Sequence, residues 1–272
     1  MTIVASLSCI PARLETYLPR TLQSLLKQTV RLDKIYVSVP TRPLRESQAG
    51  IDTSVADRIA REAEADVDEE YRRVVILRHV DDPGPVLKYT GVSQHVNDSD
   101  IVFVCDDDQN YERDVVEQLM PRFLATREDN ALVATCNRRL NTGFRRYMSG
   151  YAGILLTGAA IRVIAQKVGD QVRPRCCTMV DDVFATAALR KANATVNSID
   201  RPLNTIFVGS EREDRAFDTA LFTETPRVWL NFRCMTETDP GLAIGLGVAV
   251  ALILAGIITG VTVAVIKSRK KK

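Results

Sequence analysis

Three carboxylates stand side by side in Asp106-Asp107-Asp108, directly after the apolar run Ile101-Val102-Phe103-Val104-Cys105. Adjacent acids repel one another and favour the unfolded chain unless a cation or a cationic ligand sits among them. A buried strand that ends on acids is how an α/β protein presents a metal at the carboxyl edge of its sheet. Hard oxygen ligands on a short loop suit Mg²⁺ or Mn²⁺ carrying a phosphorylated substrate. The plain alternative is a solvated acidic turn, and the strand ahead of the acids weighs against it. A calcium loop fits less well. Asp106, Asp108, Asn110 and Glu117 fall on ligand positions of that template, but Tyr111 stands where its turn needs Gly, and a strand precedes it instead of a helix.

Other residues could act with these acids. Lys88 follows the turn Asp82-Pro83-Gly84-Pro85 and opens a helix, where its charge can neutralise a diphosphate or pair with an acid. Ser8 and Arg13, at the end of the first strand, can contact a base or ribose, or can be a capping Ser and an exposed Arg. Asp181-Asp182 begins a helix, where carboxylates favour the dipole. If that helix start faces the acids, one of the pair can take a proton from an attacking hydroxyl. His79 and His95 have no partner spacing, and no Ser-His-Asp order or Cys-His pair stands out.

The elements that must position these groups alternate. Ile3 to Ser8 reads as a strand, and Leu18, Leu22, Leu25 and Leu26 mark a helix. Strands follow at Lys34 to Val39, closed by Pro40-Thr41-Arg42-Pro43, and at Val74 to Val80, with a polar surface helix between them. Past the acids, Val115 to Leu124 reads as a helix and Leu132 to Cys136 as a strand. Tyr147 to Leu156 is a glycine-bearing loop running into a strand, and Asp181 to Lys191 is a helix. This alternation implies an α/β fold with a mixed, mostly parallel sheet flanked by helices. Such sheets bind ligands at the carboxyl ends of their strands, where Arg13, Thr41, Lys88 and the acids gather.

The 272 residues suffice for one large α/β domain, and the net charge of +2 gives no sign of a nucleic-acid partner. The six cysteines show no metal-ligand spacing, and several sit in apolar strands as small hydrophobes. Reduced thiols are expected. The sequons at Asn97 and Asn193 read as chance matches. Residues 1–7 read as a first strand, not a signal peptide.

From Gly241 to Ile266 there is no charged residue, and Lys267, Arg269, Lys270, Lys271 and Lys272 follow at once. At about 1.5 Å per residue this stretch exceeds the roughly 30 Å hydrocarbon core of a bilayer, so a transmembrane helix is expected. The organisation is then a catalytic domain over 1–235, a linker at 236–240, a single-pass membrane anchor at 241–266 and a basic tail at 267–272. The tail is short enough to cross despite its charge, which leaves the domain in the cytosol, although the positive-inside rule pulls the other way.

Taken together, the motifs carry a resemblance. Ser8-Cys9-Ile10-Pro11-Ala12-Arg13, Asp82-Pro83-Gly84-Pro85-Val86-Leu87-Lys88 and Val104-Cys105-Asp106-Asp107-Asp108 resemble a GT-A-fold glycosyltransferase of the family 2-like group, with its GPxxK turn and DDD box. Gly150-Tyr151-Ala152-Gly153-Ile154-Leu155 resembles that group's acceptor-side segment, and Asp181-Asp182-Val183-Phe184 its later Asp-Asp helix start. The match spans roughly residues 1 to 205. It implies transfer of a sugar from a nucleotide-diphosphate donor, most often UDP-linked, to a glycan or other hydroxyl acceptor, with inversion. By the same resemblance Asp106 and Asp108 hold Mn²⁺ or Mg²⁺, with Asp108 the more direct ligand. Ser8, Ile10, Pro11, Arg13, Thr41, Lys88, Asp106 and Asp107 lie on the nucleotide side, and Asp182, or else Asp181, is the general base. Two departures stand out: Pro40-Thr41-Arg42 replaces the acid often found after the second strand, and no histidine follows His95 to complete a metal shell. The rivals are a nucleotidyltransferase, whose usual Gly- and Arg-rich loop Pro11-Ala12-Arg13 does not supply, and a non-catalytic anchored binding protein.

Overall fold

Strand residues such as Val102 and Val104 face one side of a sheet, and Ile101 and Phe103 the other. All four are fully buried, so helices must cover both faces. A computed structural model describes residues 1–43, 52–128, 130–136, 139–141, 146–169, 181–199 and 206–207. In chain order its elements are β1 (Ile3–Ser8), α1 (Leu18–Leu26), β2 (Lys34–Arg42), α2 (Val55–Ala63), β3 (Val74–Asp81), α3 (Leu87–Thr90), β4 (Ile101–Val104), β5 (Gln109–Asn110), α4 (Val115–Arg127), β6 (Val133–Cys136), β7 (Arg139–Asn141), β8 (Arg146–Met148), β9 (Ile154–Thr157), α5 (Gly158–Gly169), α6 (Asp181–Lys191), β10 (Thr195–Ser198) and β11 (Ile206–Phe207).

Among the described residues one seven-stranded sheet runs in the order β10-β6-β9-β4-β1-β2-β3. The pairs β1–β2, β1–β4, β2–β3 and β6–β10 are parallel, and β9 lies antiparallel to both β4 and β6. The sheet is therefore mixed and mostly parallel, as expected. On one face Leu7, Val37 and Phe103 pack with Leu22 of α1, Ile59 of α2 and Leu119 of α4. On the other, Val102, Val104 and Leu156 pack with Tyr89 of α3, Ile164 of α5 and Phe184 of α6.

Several elements differ from the sequence reading: the strands β5, β7, β8, β10 and β11 were not expected, and β2, α4 and α5 differ as follows. β2 continues through Pro40 to Arg42, where a stop was expected. β1 pairs with β2 only as far as Ser8 opposite Ser38, and Ser38 O accepts the Cys9 N–H at 2.9 Å. Pro40 lies two residues further on the same side of β2, beyond the end of β1, so its missing N–H leaves no ladder bond unmade. α4 likewise runs past Leu124 to Arg127 through Pro121, which sits on the exposed face where water can serve the freed carbonyl. α5 was not expected. Its Ile161, Ile164 and Val168 nevertheless have helical spacing, and all three pack on the sheet face that carries Val102.

Cys9 and Cys105 are free and buried, and Cys136 is buried. No helix among the described residues is long and apolar enough to cross a membrane. The expected linker, anchor and basic tail over 236–272 lie outside those residues, as do Cys176, Cys177 and Cys234.

Candidate active site

Register brings the acids to the end of β1. Ser6 lies opposite Val104, and Ser6 O accepts the Cys105 N–H at 3.1 Å, so Asp106 to Asp108 emerge beside the chain leaving Ser8. That chain turns at once. Pro11 opens a 3-10 turn, a position where its absent N–H costs nothing, and the Arg13 N–H donates to Ile10 O at 2.9 Å. The turn aims Arg13 back at the acids. Its Nη1 lies 3.2 Å from Asp107 Oδ1 and 3.1 Å from Asp108 Oδ2. The acid loop is held from below. Thr21 Oγ1, on α1, lies 2.7 Å from Asp107 O and 2.9 Å from Gln109 O, and the Asp106 N–H donates to Tyr111 Oη at 2.8 Å. Gln109 Nε2 donates to Asp108 Oδ1 at 3.1 Å. Tyr111, which spoils the calcium template, is thus a buried prop of the loop.

Lys88 approaches from the opposite face of the sheet. Asp82 Oδ1 accepts the Gly84 N–H at 2.8 Å, and Gly84 takes φ +89°, a conformation glycine adopts without strain. The short helix α3 then begins, and Ser6 Oγ ties it to the sheet by donating to Lys88 O at 2.6 Å. The Lys88 side chain is only 4% exposed. Its Nζ lies 2.6 Å from Asp106 Oδ1 and 2.6 Å from Asp181 Oδ2. The Asp-Asp start of α6 therefore does face the acid loop, across one ammonium. Asp182 is pinned separately, its two carboxylate oxygens each accepting the Gly150 N–H at 3.0 Å.

Gly150 is required by closeness. A Cβ there would lie 2.6 Å from Asp182 Oδ1 and 2.6 Å from Lys88 Nζ. Both are side-chain ends, so Gly150→Ala should leave the chain folded while moving the ion pair and the carboxylate. An unfolding midpoint within about 1 kcal/mol of native, with turnover down roughly tenfold or more, is the expected pair of measurements. Turnover equal to native would show that the contact has no bearing on the site.

The electrostatics follow from burial. Desolvation, and then the charges of Asp107 and Asp106, push Asp108 up to about 7. Desolvation and the neighbouring Asp181 push Asp182 up to about 8. Asp107 and Asp181 are also raised, chiefly by burial, against the pull of Arg13 and Lys88 respectively. Burial alone would lower the Lys88 ammonium, but Asp106, Asp181 and Asp182 outweigh it and hold the ammonium charged well above its usual range. Five carboxylates (Asp106, Asp107, Asp108, Asp181 and Asp182) face the cations of Arg13 and Lys88, so negative charge is in excess.

That excess, on hard oxygen donors, fits Mg²⁺ or Mn²⁺. Asp106 is the most open of this site's ion-paired acids at 30% exposure, against 7%, 11% and 13% for Asp107, Asp108 and Asp181. Among the described residues no three His, Cys, Asp or Glu side chains are grouped to hold a metal by themselves. A metal here must draw the rest of its shell from water or substrate.

The other expected residues are distributed as follows. Ser8 is half-buried at the end of β1. Ile10 and Pro11 shape the turn that aims Arg13. Thr41 is exposed on the far end of β2, donating to His79 O at 3.2 Å, and no contact among the described residues joins it to the acids. Arg13, read as a contact for base or ribose, is ion-paired to two of the acids. Sequence reasoning passed over Thr21 and Gln109, whose types carry no signal outside the folded loop.

No protein-family model matches the chain, and no curated protein does. Similar solved structures include 4-diphosphocytidyl-2C-methyl-D-erythritol synthase, 12% identical with a TM-score of 0.47 over 81% of this chain and 99% of that one. Residues 1–349 of S. aureus TarS in complex with UDP are 12% identical, with a TM-score of 0.48 over 88% of this chain and 70% of that one. A UDP-glucose pyrophosphorylase from Acinetobacter baumanii is 10% identical, with a TM-score of 0.45 over 86% of this chain and 98% of that one.

Proposed function

We propose that the chain is a metal-dependent glycosyltransferase of the GT-A kind, moving a sugar from a nucleotide-diphosphate donor, UDP-linked by resemblance, to a hydroxyl acceptor with inversion. The observation that carries this reading is Lys88, buried between the acid loop and the Asp-Asp start of α6 at 2.6 Å from each. One ammonium there joins the acid loop to the helix start that also carries Asp182.

In this reading Asp106 and Asp108 hold Mn²⁺ or Mg²⁺, which when bound supplies charge neutralisation of the leaving diphosphate. Lys88 and Arg13 add positive charge on the same side. Asp182 takes the proton of the acceptor hydroxyl as that oxygen bonds to the anomeric carbon, and the bond from that carbon to the diphosphate oxygen breaks. A carboxyl raised to about 8 suits a base working near neutral pH. Asp181 keeps Lys88 in place beside it.

A panel of nucleotide sugars with Mn²⁺ tests this. The native chain should release nucleoside diphosphate from at least one donor, and Asp108→Ala should lower that release about a hundredfold. Release of pyrophosphate from a nucleoside triphosphate would favour a nucleotidyltransferase. A folded chain that binds no donor would sink the enzyme reading.

We also propose that residues 241–266 anchor the chain as a single-pass helix with the catalytic domain in the cytosol. The supporting feature is the uncharged stretch followed by five basic residues. The full chain should stay with membranes through alkaline carbonate extraction, and protease added from the cytosolic side should digest the domain. Extraction into the supernatant would refute the anchor.

A further inference from the structure

Buried polar groups in folded proteins nearly always find a hydrogen-bond partner, so those that do not point to something that binds there. Tyr89 Oη and Ser149 Oγ are two such groups, each on a fully buried residue and each without a hydrogen bond among the described residues. Tyr89 and the residue that follows Ser149 both approach the same ammonium. Tyr89 follows Lys88 in the chain, and Lys88 Nζ sits 5.6 Å from the centre of its ring. Ser149 precedes Gly150, whose Cα is packed against Lys88 Nζ and Asp182 Oδ1. Asp181 Oδ2 lies on the same ammonium, 2.6 Å from Lys88 Nζ.

The backbone that carries each hydroxyl is held in place. Met148 N–H donates to Thr186 Oγ1 at 3.0 Å and Gly150 N–H to Asp182, so Ser149 is clamped to α6 on both sides. Tyr89 is fixed by the α3 turn, its N–H donating to Val86 O at 2.9 Å. Burial raises the Tyr89 phenol well above its usual value, and the charges of Asp182, Asp181 and Asp106 add to that despite Lys88, so it remains a neutral donor close to those acids.

We propose that Tyr89 and Ser149 form a subsite for a carbohydrate hydroxyl, holding a sugar against Lys88 and Asp182. A sugar hydroxyl both donates and accepts, which is what one ligand needs to serve a phenol, a serine hydroxyl and a carboxylate oxygen together. Neither residue is a catalytic residue here; both position the sugar. This inference rests on the glycosyltransferase reading, and the sugar can belong to the donor or to the acceptor.

Tyr89→Phe and Ser149→Ala in the full chain test it, since each removes a hydroxyl and little shape. For a donor sugar, the native chain should bind a UDP-sugar more tightly than UDP in Mn²⁺, and the variants should lose that advantage by about tenfold while UDP affinity stays native. For an acceptor sugar, the advantage is retained, and KM for a monosaccharide acceptor at saturating donor rises about tenfold with kcat little changed. In either case the unliganded melting temperature should hold or rise, because an unpaired buried hydroxyl has been removed. A drop in melting temperature with unchanged sugar binding would mean a structural hydroxyl satisfied by water, and would overturn the proposal. If native protein binds neither UDP nor any UDP-sugar, the glycosyltransferase reading fails on its own. Thermal shift with free monosaccharides then decides the subsite: a shift lost in both variants upholds it, and no shift removes it.

Discussion

Lys88→Met is expected to destabilise the fold by about 3–5 kcal/mol, the usual cost of removing one partner from a buried ion pair. Met keeps most of the stem's volume, so the loss comes from charge. Asp106 and Asp181 each lie 2.6 Å from Nζ and would face one another, and Asp182, with no cation between them. Against a typical total stability of about 5–15 kcal/mol, this leaves a marginal protein. The cost should shrink at pH 5, where Asp181 and Asp182, both raised by burial, can protonate. Denaturant midpoints at pH 5 and pH 8 measure both effects. Asp106→Asn should cost less, because Asp181 still pairs with Lys88. A loss below about 1 kcal/mol at pH 8 would show that the acids share another cation.

On the glycosyltransferase reading proposed above, with Asp182 as its base, Asp182→Asn should abolish most turnover and leave the fold intact. Loss of a positioned general base costs about a hundredfold to ten-thousandfold, and Asn can still accept the Gly150 N–H that holds the carboxylate at 3.0 Å. Asp181→Asn should be milder in kcat, since that residue acts on Lys88. The native pH profile carries the sign. A base raised to about 8 is mostly protonated at pH 6, so kcat/KM of the native enzyme should climb through about pH 8 and then level, and the residual activity of Asp182→Asn should lack that limb. Stability runs the other way. Between the usual unfolded value of about 3.9 and the folded value near 8, the folded chain binds more protons than the unfolded one, so metal-free stability falls as pH rises through that window. An unchanged pH limb in Asp182→Asn would assign the base to Asp181 or to another group.

Much of the frame is legible before folding. The apolar run ahead of Asp106 announces a strand that ends on acids, and the structure has β4 there. Asp181 and Asp182 open a helix as their types suggest. Lys88 was readable as a cation near the acids because a Pro-Gly-Pro turn leads into it. Pro40 misled because a proline's meaning depends on whether a neighbouring strand is present on its N–H side, and that is a matter of where β1 ends. α5 escaped although its spacing is helical, because its polar residues are few and its apolar face is short. The place of Arg13 beside Asp107 and Asp108 escaped because nothing local shows that a 3-10 turn will fold it back onto them.

The sequence by itself determined which residues carry charge, which runs become strands, and that adjacent carboxylates must meet a cation. These are properties of residue type and period, and local physics suffices for them. Only the tertiary structure decided which cations those are. Arg13 and Lys88 reach the acids from opposite faces of the sheet, 94 residues from Asp107 and 18 from Asp106 along the chain. Asp181 and Asp182 join them because Gly150 lacks a side chain at the one point where Lys88 and Asp182 close together. Distances of that kind depend on register and packing across elements far apart in sequence, and no local pattern encodes them.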